Sequence, residues 1–273
     1  MKLTTTKTLS PKPEGIIICS KSGLGKTSFL VDAVNDAKNG ILFQCGEDGI
    51  SDLIDRNTNK PVEVPHYPEV IGASGNEEQK VKDWQEFKDI LTEIINGDYK
   101  YDRVGFDNLD NIINNNLTAF ILDTYYKDQT GVINTKEAFG WGGAYLKEAY
   151  GELSRIVKAF EMIQSMGISV YVSLHGQSVK EKDPRSENYD KYSFEVPARA
   201  DYNLRNLLIN WSSATFFGTI DATVDKGKAK GTNRVLMTSI DVAYDAKNRY
   251  SLPDKMTFEY KSFKELLAKR KEK

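Results

Sequence analysis

Histidine and cysteine are scarce, with two of each in 273 residues. His66 and His175 with no clustered cysteines exclude a structural zinc site of the usual spacing. Cys19 and Cys45 each sit in an apolar stretch that reads as a core strand. That fits buried thiols in a reducing compartment better than a disulfide. No apolar run approaches the length that spans a bilayer, and no secretory leader pattern opens the chain. The expectation is a cytoplasmic protein with no membrane partner. An excess of one charge is missing too: 37 Lys and Arg face 39 Asp and Glu, a formal net charge of −2. No global field draws nucleic acid, so any such contact rests on local basic patches. No internal repeat is present. The length suits one large α/β domain with insertions, or two small ones.

Against this even background one stretch stands out. Ile16, Ile17 and Ile18 form a β-branched run that gives way to Ser20-Lys21-Ser22-Gly23-Leu24-Gly25-Lys26-Thr27, and then to an amphipathic segment with Phe29, Leu30 and Val34. Strand, glycine-containing loop and helix in this order make a phosphate-binding loop. Small residues let successive backbone N–H groups turn inward, and the helix N-terminus adds partial positive charge. Residues 20–28, through Ser28, are the predicted nucleotide cradle. Lys26 is placed to reach the β- and γ-phosphates and Thr27 to hold Mg²⁺. Ser20 stands where the first glycine belongs, a departure expected to slow or weaken nucleotide binding. The alternative is a surface helix opened by an ordinary lysine. The position of Gly-Lys-Thr at the change from strand to helix argues against it.

Residues 1–13 read as a polar arm. After the loop helix, Asn39-Gly40 marks a stop, and the strand Ile41 to Cys45 ends in Gly46-Glu47-Asp48-Gly49. Ligands bind at the C-terminal ends of strands in open α/β sheets. There Glu47 would polarise the water that attacks the γ-phosphate; Glu-Asp-Gly is also ordinary turn chemistry. Residues 55–97 look like an insertion whose second half, Val81 to Ile95, is a helix with Trp84, Phe87, Leu91 and Ile95 on one face. The strand ending in Asp107 supplies the expected partner of the loop, holding Mg²⁺ through a water beside Thr27. Asn108 and Asp110 extend the polar rim. Leu109 to Tyr126 and Tyr145 to Met166 read as helices. Between them lies a loop with Phe139 and Trp141, aromatics suited either to stacking single-stranded bases or to the loop's own packing.

Val170 to Leu174 is a core strand ending in His175, a side chain placed to hydrogen-bond the γ-phosphate or the attacking water. Residues 178–200 read as a polar loop where Lys180, Lys182, Arg185, Lys191 and Arg199 alternate with Tyr189, Tyr192 and Phe194. That mixture suits a nucleic-acid strand, and the accompanying acids equally suit a solvated loop. Asp201 to Trp211 reads as a helix. Ala214 to Thr223 and Val235 to Tyr244 form a hairpin about the turn Lys226 to Gly231. A basic helix closes the chain from about Ser262.

In assembled order the motifs resemble the RecA-like P-loop ATPases, most closely the phage-type AAA nucleotide-binding proteins linked to single-strand annealing and recombination. The resemblance covers roughly 14–260. It rests on Ser-Lys-Ser-Gly-Leu-Gly-Lys-Thr at 20–27, Val-Gly-Phe-Asp-Asn-Leu at 104–109, Gly-Trp-Gly at 140–142, Val-Ser-Leu-His at 172–175 and Lys-Asn-Arg-Tyr-Ser-Leu-Pro at 247–253. It implies an α/β, RecA-like core (14–260, insertion about 55–97) with a mostly parallel sheet, helices on both faces and a C-terminal β-hairpin extension. The basic helix 261–273 follows. It also implies ATP and Mg²⁺ as ligands, with Glu47 matching the carboxylate that activates water and His175 the γ-phosphate sensor. Lys247 and Arg249 fall where such cores place a basic pair that reaches a neighbouring subunit's nucleotide. Single-stranded DNA, self-association into a ring or filament, and a phage recombination or single-strand binding protein are the implied partners, in a bacterial host's cytoplasm.

Lys21 makes the loop similar also to the deviant one of the MinD/ParA partition ATPases, whose extra lysine crosses a dimer. A nucleotide-dependent switch or loader that binds a protein partner is therefore the alternative to a DNA-acting ATPase. A small-molecule kinase would need a lid of clustered arginines, which the chain lacks.

Overall fold

A computed structural model describes residues 13–55, 58–73, 75–140, 142–181, 187–199, 201–225 and 228–271. The polar arm up to residue 12, Trp141, Lys182 and Arg185 lie outside them. In chain order the elements are β1 (Gly15–Ser20), α1 (Lys26–Asn35), β2 (Gly40–Gln44), α2 (Glu77–Asn96) and β3 (Arg103–Asp107). A continuous helical stretch follows, made of α3 (Leu109–Asn111), a π-helical segment (Ile112–Leu117) and α4 (Thr118–Tyr125). Then come α5 (Thr135–Ala138), α6 (Tyr145–Ser165), β4 (Ser169–Glu181), β5 (Tyr189–Phe194), α7 (Leu204–Trp211), β6 (Ala214–Asp225) and β7 (Lys228–Met237). β8 (Lys247–Asn248), β9 (Lys255–Thr257) and α8 (Tyr260–Lys271) complete the chain.

The strands form one sheet in the order β2-β3-β4-β1-β6-β7-β9. From β2 to β6 every pairing is parallel, and β7 and β9 extend the sheet antiparallel. Central parallel strands are covered on both faces, so they are apolar throughout. Each residue of β1 is buried, and successive side chains point to opposite faces. Ile17 and Cys19 join one core layer with Phe106, Val172, Trp84 and Phe160. Ile16 and Ile18 join the other with Phe29, Phe216 and Phe263. The sheet therefore carries α2, α6 and α7 on one side and α1 and α8 on the other.

The stretch expected as an insertion divides in two. Leu42 and Cys45 form isolated bridges to His66 and Ile71, which lay the irregular segment along the β2 edge. α2 is the crossover from β2 to β3, and Trp84, Phe87, Ile90, Leu91 and Ile94 fill the larger core layer. Its ends match its sequence: Asn76 accepts from Glu78 N, Glu77 and Glu78 occupy the first turn, and Gly97 stops it at φ 79°.

Two expectations are corrected. Residues 178–200 are not one loop: β4 continues to Glu181 and returns as β5, paired antiparallel from Gly176↔Phe194 to Glu181↔Tyr189. Apart from Ser193 and Phe194, which are buried, the paired residues are partly or fully exposed and mostly polar, without the apolar run that signals a strand. In the second hairpin Lys228 to Gly231 belong to β7 rather than to a turn, with Asp225 paired to Lys228, and β7 ends at Met237.

Candidate active site

The parallel strands end together at one edge of the sheet, and the predicted chemistry gathers there. Ser20 at the end of β1 pairs with His175 on β4, and Gln44 at the end of β2 pairs with Asp107 on β3. Between β1 and α1 the loop turns through Gly23 at φ 77° and Gly25 at φ 109°, left-handed conformations that favour glycine. α1 has no side-chain cap and no acid in its first turn, so no side-chain cap serves the backbone N–H groups that open the helix. Lys26 is buried, with Nζ 3.4 Å from Ser20 O. Burial lowers its pKa, against the raising charges of Asp107 and Asp110.

Ser20 fits without cost to the loop. It is fully buried, its hydroxyl donates to Lys21 O at 2.9 Å, and Gly218 on β6 leaves it room. A Cβ at Gly218 would stand 2.9 Å from Ser20 Cβ and 2.3 Å from the Phe258 ring. The side chain thus points into the protein, and no steric reason ties it to weaker nucleotide binding.

Asp107 is buried at the end of β3 and accepts hydrogen bonds from Ser173 Oγ and from Thr27. Burial raises its pKa above the usual carboxylate range; Ser173, Thr27 and the Lys26 charge pull it down. A Cβ on Gly49 would lie 3.3 Å from Thr27 Oγ1 and 3.5 Å from Asp107 Oδ2. A glycine there leaves the space before these two hard oxygens open, and oxygen donors are what Mg²⁺ takes. The residues present fit the ion.

Glu47 is exposed, and its Oε1 accepts from Asn108 Nδ2 at 2.6 Å. Asn108 Oδ1 lies 2.7 Å from Ser173 Oγ, so Glu47, Asn108, Ser173 and Asp107 form one polar chain. Gln44 shapes the Glu47 turn by accepting from Gly49 N and Ile50 N at 2.9 and 3.2 Å. Asp48 instead closes its own turn on Ile50 N and Ser51 N. The two adjacent carboxylates are thereby separated: Glu47 faces the site and Asp48 is structural.

Asp110 holds His175 twice, accepting from His175 N at 2.9 Å and meeting Nδ1 at 2.8 Å. The Asp110 hydrogen bond raises the imidazole pKa against burial. With Nδ1–H directed to the carboxylate, Nε2 is left to act elsewhere. Sequence reasoning placed Asn108 and Asp110 only on a rim and assigned nothing to Ser173 or Gln44. Their partners lie many residues away, and only the sheet register brings them together.

The remaining candidates lie apart. Lys21 Nζ sits 5.1 Å from the centroid of the Tyr192 ring on β5, and Tyr192 stacks on Phe217, which stacks on Tyr244. Lys247 Nζ donates to Ile209 O and Asn210 O at 2.6 and 2.9 Å, capping the C-terminus of α7. Burial and the nearby Arg249 lower its pKa to about 8. β8 pairs with Ala214 and Thr215, the end of β6 opposite Gly218, which neighbours Ser20. Four strand residues correspond to about 13 Å, so Lys247 and Arg249 do not meet the loop of their own chain. On the hairpin, Lys180 pairs with Asp190 and Lys191 with Asp245, at 2.9 and 2.6 Å. Phe139 packs edge-on against Tyr145.

Among the described residues no helix is long and apolar enough to cross a membrane. No curated protein matches the chain. An AAA domain family model matches residues 12–250, from before β1 through β8 and across every site residue above. The chain belongs to the AAA domain family of P-loop nucleotide-binding ATPases.

Proposed function

We propose that the chain is a Mg²⁺-dependent ATPase that acts on single-stranded DNA, in annealing or recombination of the phage type, as an oligomer. The observation that carries the ATPase part is the convergence of Lys26, Thr27, Asp107 and Glu47 at one sheet edge around an uncapped helix N-terminus. The triphosphate lies along residues 20–28, its oxygens taking the loop N–H groups and the Lys26 ammonium. Thr27 and Asp107 would hold Mg²⁺, which when bound would supply positive charge against that of the phosphates. Glu47, oriented by the Asn108 amide, polarises the attacking water. His175, fixed by Asp110, offers Nε2 to the γ-phosphate. Lys247 and Arg249 reach the nucleotide of a second copy, with Lys247 leaving the α7 carbonyls on assembly.

The DNA part is supported by the β4–β5 hairpin, which starts one residue after His175 and carries Tyr189, Lys191 and Tyr192. Because Lys180 and Lys191 are paired with acids, DNA affinity is modest. The partition-type alternative has less support, since Lys21 lies over Tyr192 of its own chain. ATP hydrolysis measured with and without single-stranded oligonucleotides tests the reading. Stimulation supports it, and equal rates with intact hydrolysis favour a nucleotide switch with a protein partner.

A further inference from the structure

The phosphate loop has a cationic neighbour from a distant part of the chain that no motif announces. β6 and β7 pair with Gly218 opposite Leu236 and Ile220 opposite Arg234. Along one strand, residues two apart share a face. Leu236 is fully buried with Phe29 and Phe258 in the layer between the sheet and α1. Two residues nearer the hairpin tip, the same face of β7 carries Arg234 past the end of that core to the start of α1. There Arg234 Nη1 donates to Leu24 O at 3.1 Å. The Cβ that Gly25 lacks would stand 3.1 Å from the same nitrogen, so the guanidinium lies against the turn that leads into Lys26.

That hydrogen bond uses one of the five donors on the guanidinium. Among the described residues Arg234 makes no ion pair, although it is half-buried. A partly desolvated cation without an anion is unfavourable unless a ligand supplies the charge. Lysine would meet one acceptor at a time with a point charge, whereas the planar arginine fork can hold a carbonyl with one nitrogen and a phosphate oxygen with another.

We propose that Arg234 is a nucleotide-contacting residue acting in cis, binding a phosphate oxygen while Leu24 O orients its fork. This rests on the nucleotide-binding reading above and adds to it a cation from β7, independent of the pair at 247 and 249. It also ties the β6–β7 hairpin to the state of the loop.

Titration calorimetry of Mg²⁺·ADP and Mg²⁺·ATP into the full chain, Arg234→Ala and Arg234→Gln tests it, with the fold of each variant checked by circular dichroism. Loss of a charged hydrogen bond weakens binding about tenfold or more, and that loss is expected for both nucleotides in both variants. Gln keeps a donor for Leu24 O but no charge, so wild-type affinity in Arg234→Gln reduces Arg234 to a support of the loop and overturns the proposal. Should Arg234→Ala fail to fold, the Gln variant alone decides. A wild-type chain that binds neither nucleotide overturns the nucleotide reading itself. Binding that is lost in Lys26→Ala but unchanged in Arg234→Gln overturns Arg234 alone.

Discussion

The pairing of His175 with Asp110 makes the site sensitive to pH in a defined direction. A histidine whose folded pKa is raised contributes stability that is fully present below its unfolded value and is lost as pH rises through the folded value. The Asp110 hydrogen bond is the first cause of that rise. Urea denaturation of the wild type and Asp110→Asn should show the larger gap near about pH 6 and a smaller one near about pH 8. A gap independent of pH contradicts a charged His175–Asp110 pair. Ser20 gives a second test at this scale. Its side chain is buried beside Gly218, and its hydroxyl donates to Lys21 O. Ser20→Gly should lower stability by about 0.5–1 kcal/mol through backbone freedom, while nucleotide affinity stays within about threefold of wild type. A large gain in affinity would restore the expectation that Ser20 impairs the loop.

At the scale of elements, what was legible followed local pattern. The isoleucine run, the Gly-Lys-Thr and the helical stripe Trp84, Phe87 and Leu91 each declare themselves within a few residues, so β1, α1 and α2 were visible, although the stripe ends on buried Ile94 and not on Ile95 as expected. The placement of Lys26, Thr27 and Asp107 at neighbouring strand ends came with them, because it follows from the same local runs. The β4–β5 hairpin was hidden because the paired residues beyond the core strand, 176–181 and 189–193, are mostly polar and show no apolar alternation. The contacts of Asp110, Asn108, Ser173 and Arg234 were hidden because their partners are set by sheet register, with separations such as 65 and 210 residues for Asp110–His175 and Arg234–Leu24. α2 gives a direct check on the crossover. Trp84 is fully buried, and its Nε1 has no hydrogen-bond partner among the described residues. Trp84→Ala should cost about 3–5 kcal/mol in chemical denaturation, and Trp84→Phe much less, because no hydrogen bond is lost. Equal losses would mean that the indole N–H has a partner.

For the whole molecule, the sheet keeps the phosphate loop and the proposed neighbour-reaching pair at opposite ends. Its C-terminal edge holds the phosphate loop, Asp107, Glu47 and His175, while Lys247 and Arg249 lie toward the other end of β6. A molecule so arranged can complete a neighbour's site only by stacking one copy's far edge on the next copy's nucleotide. The formal charge of −2 adds no long-range attraction for DNA, so the proposed DNA binding rests on local contacts. Binding to a single-stranded oligonucleotide should fall with salt, with a log–log slope of about −0.7 per phosphate contacted. A flat titration counts against DNA as the partner. The most direct measurement is calorimetric titration of ATP into the wild type and Lys26→Ala, with Mg²⁺ and with the ion chelated. The account predicts saturable binding to the wild type, weakened by chelation and undetectable in Lys26→Ala. Equal heats from both proteins, indifferent to Mg²⁺, would contradict it.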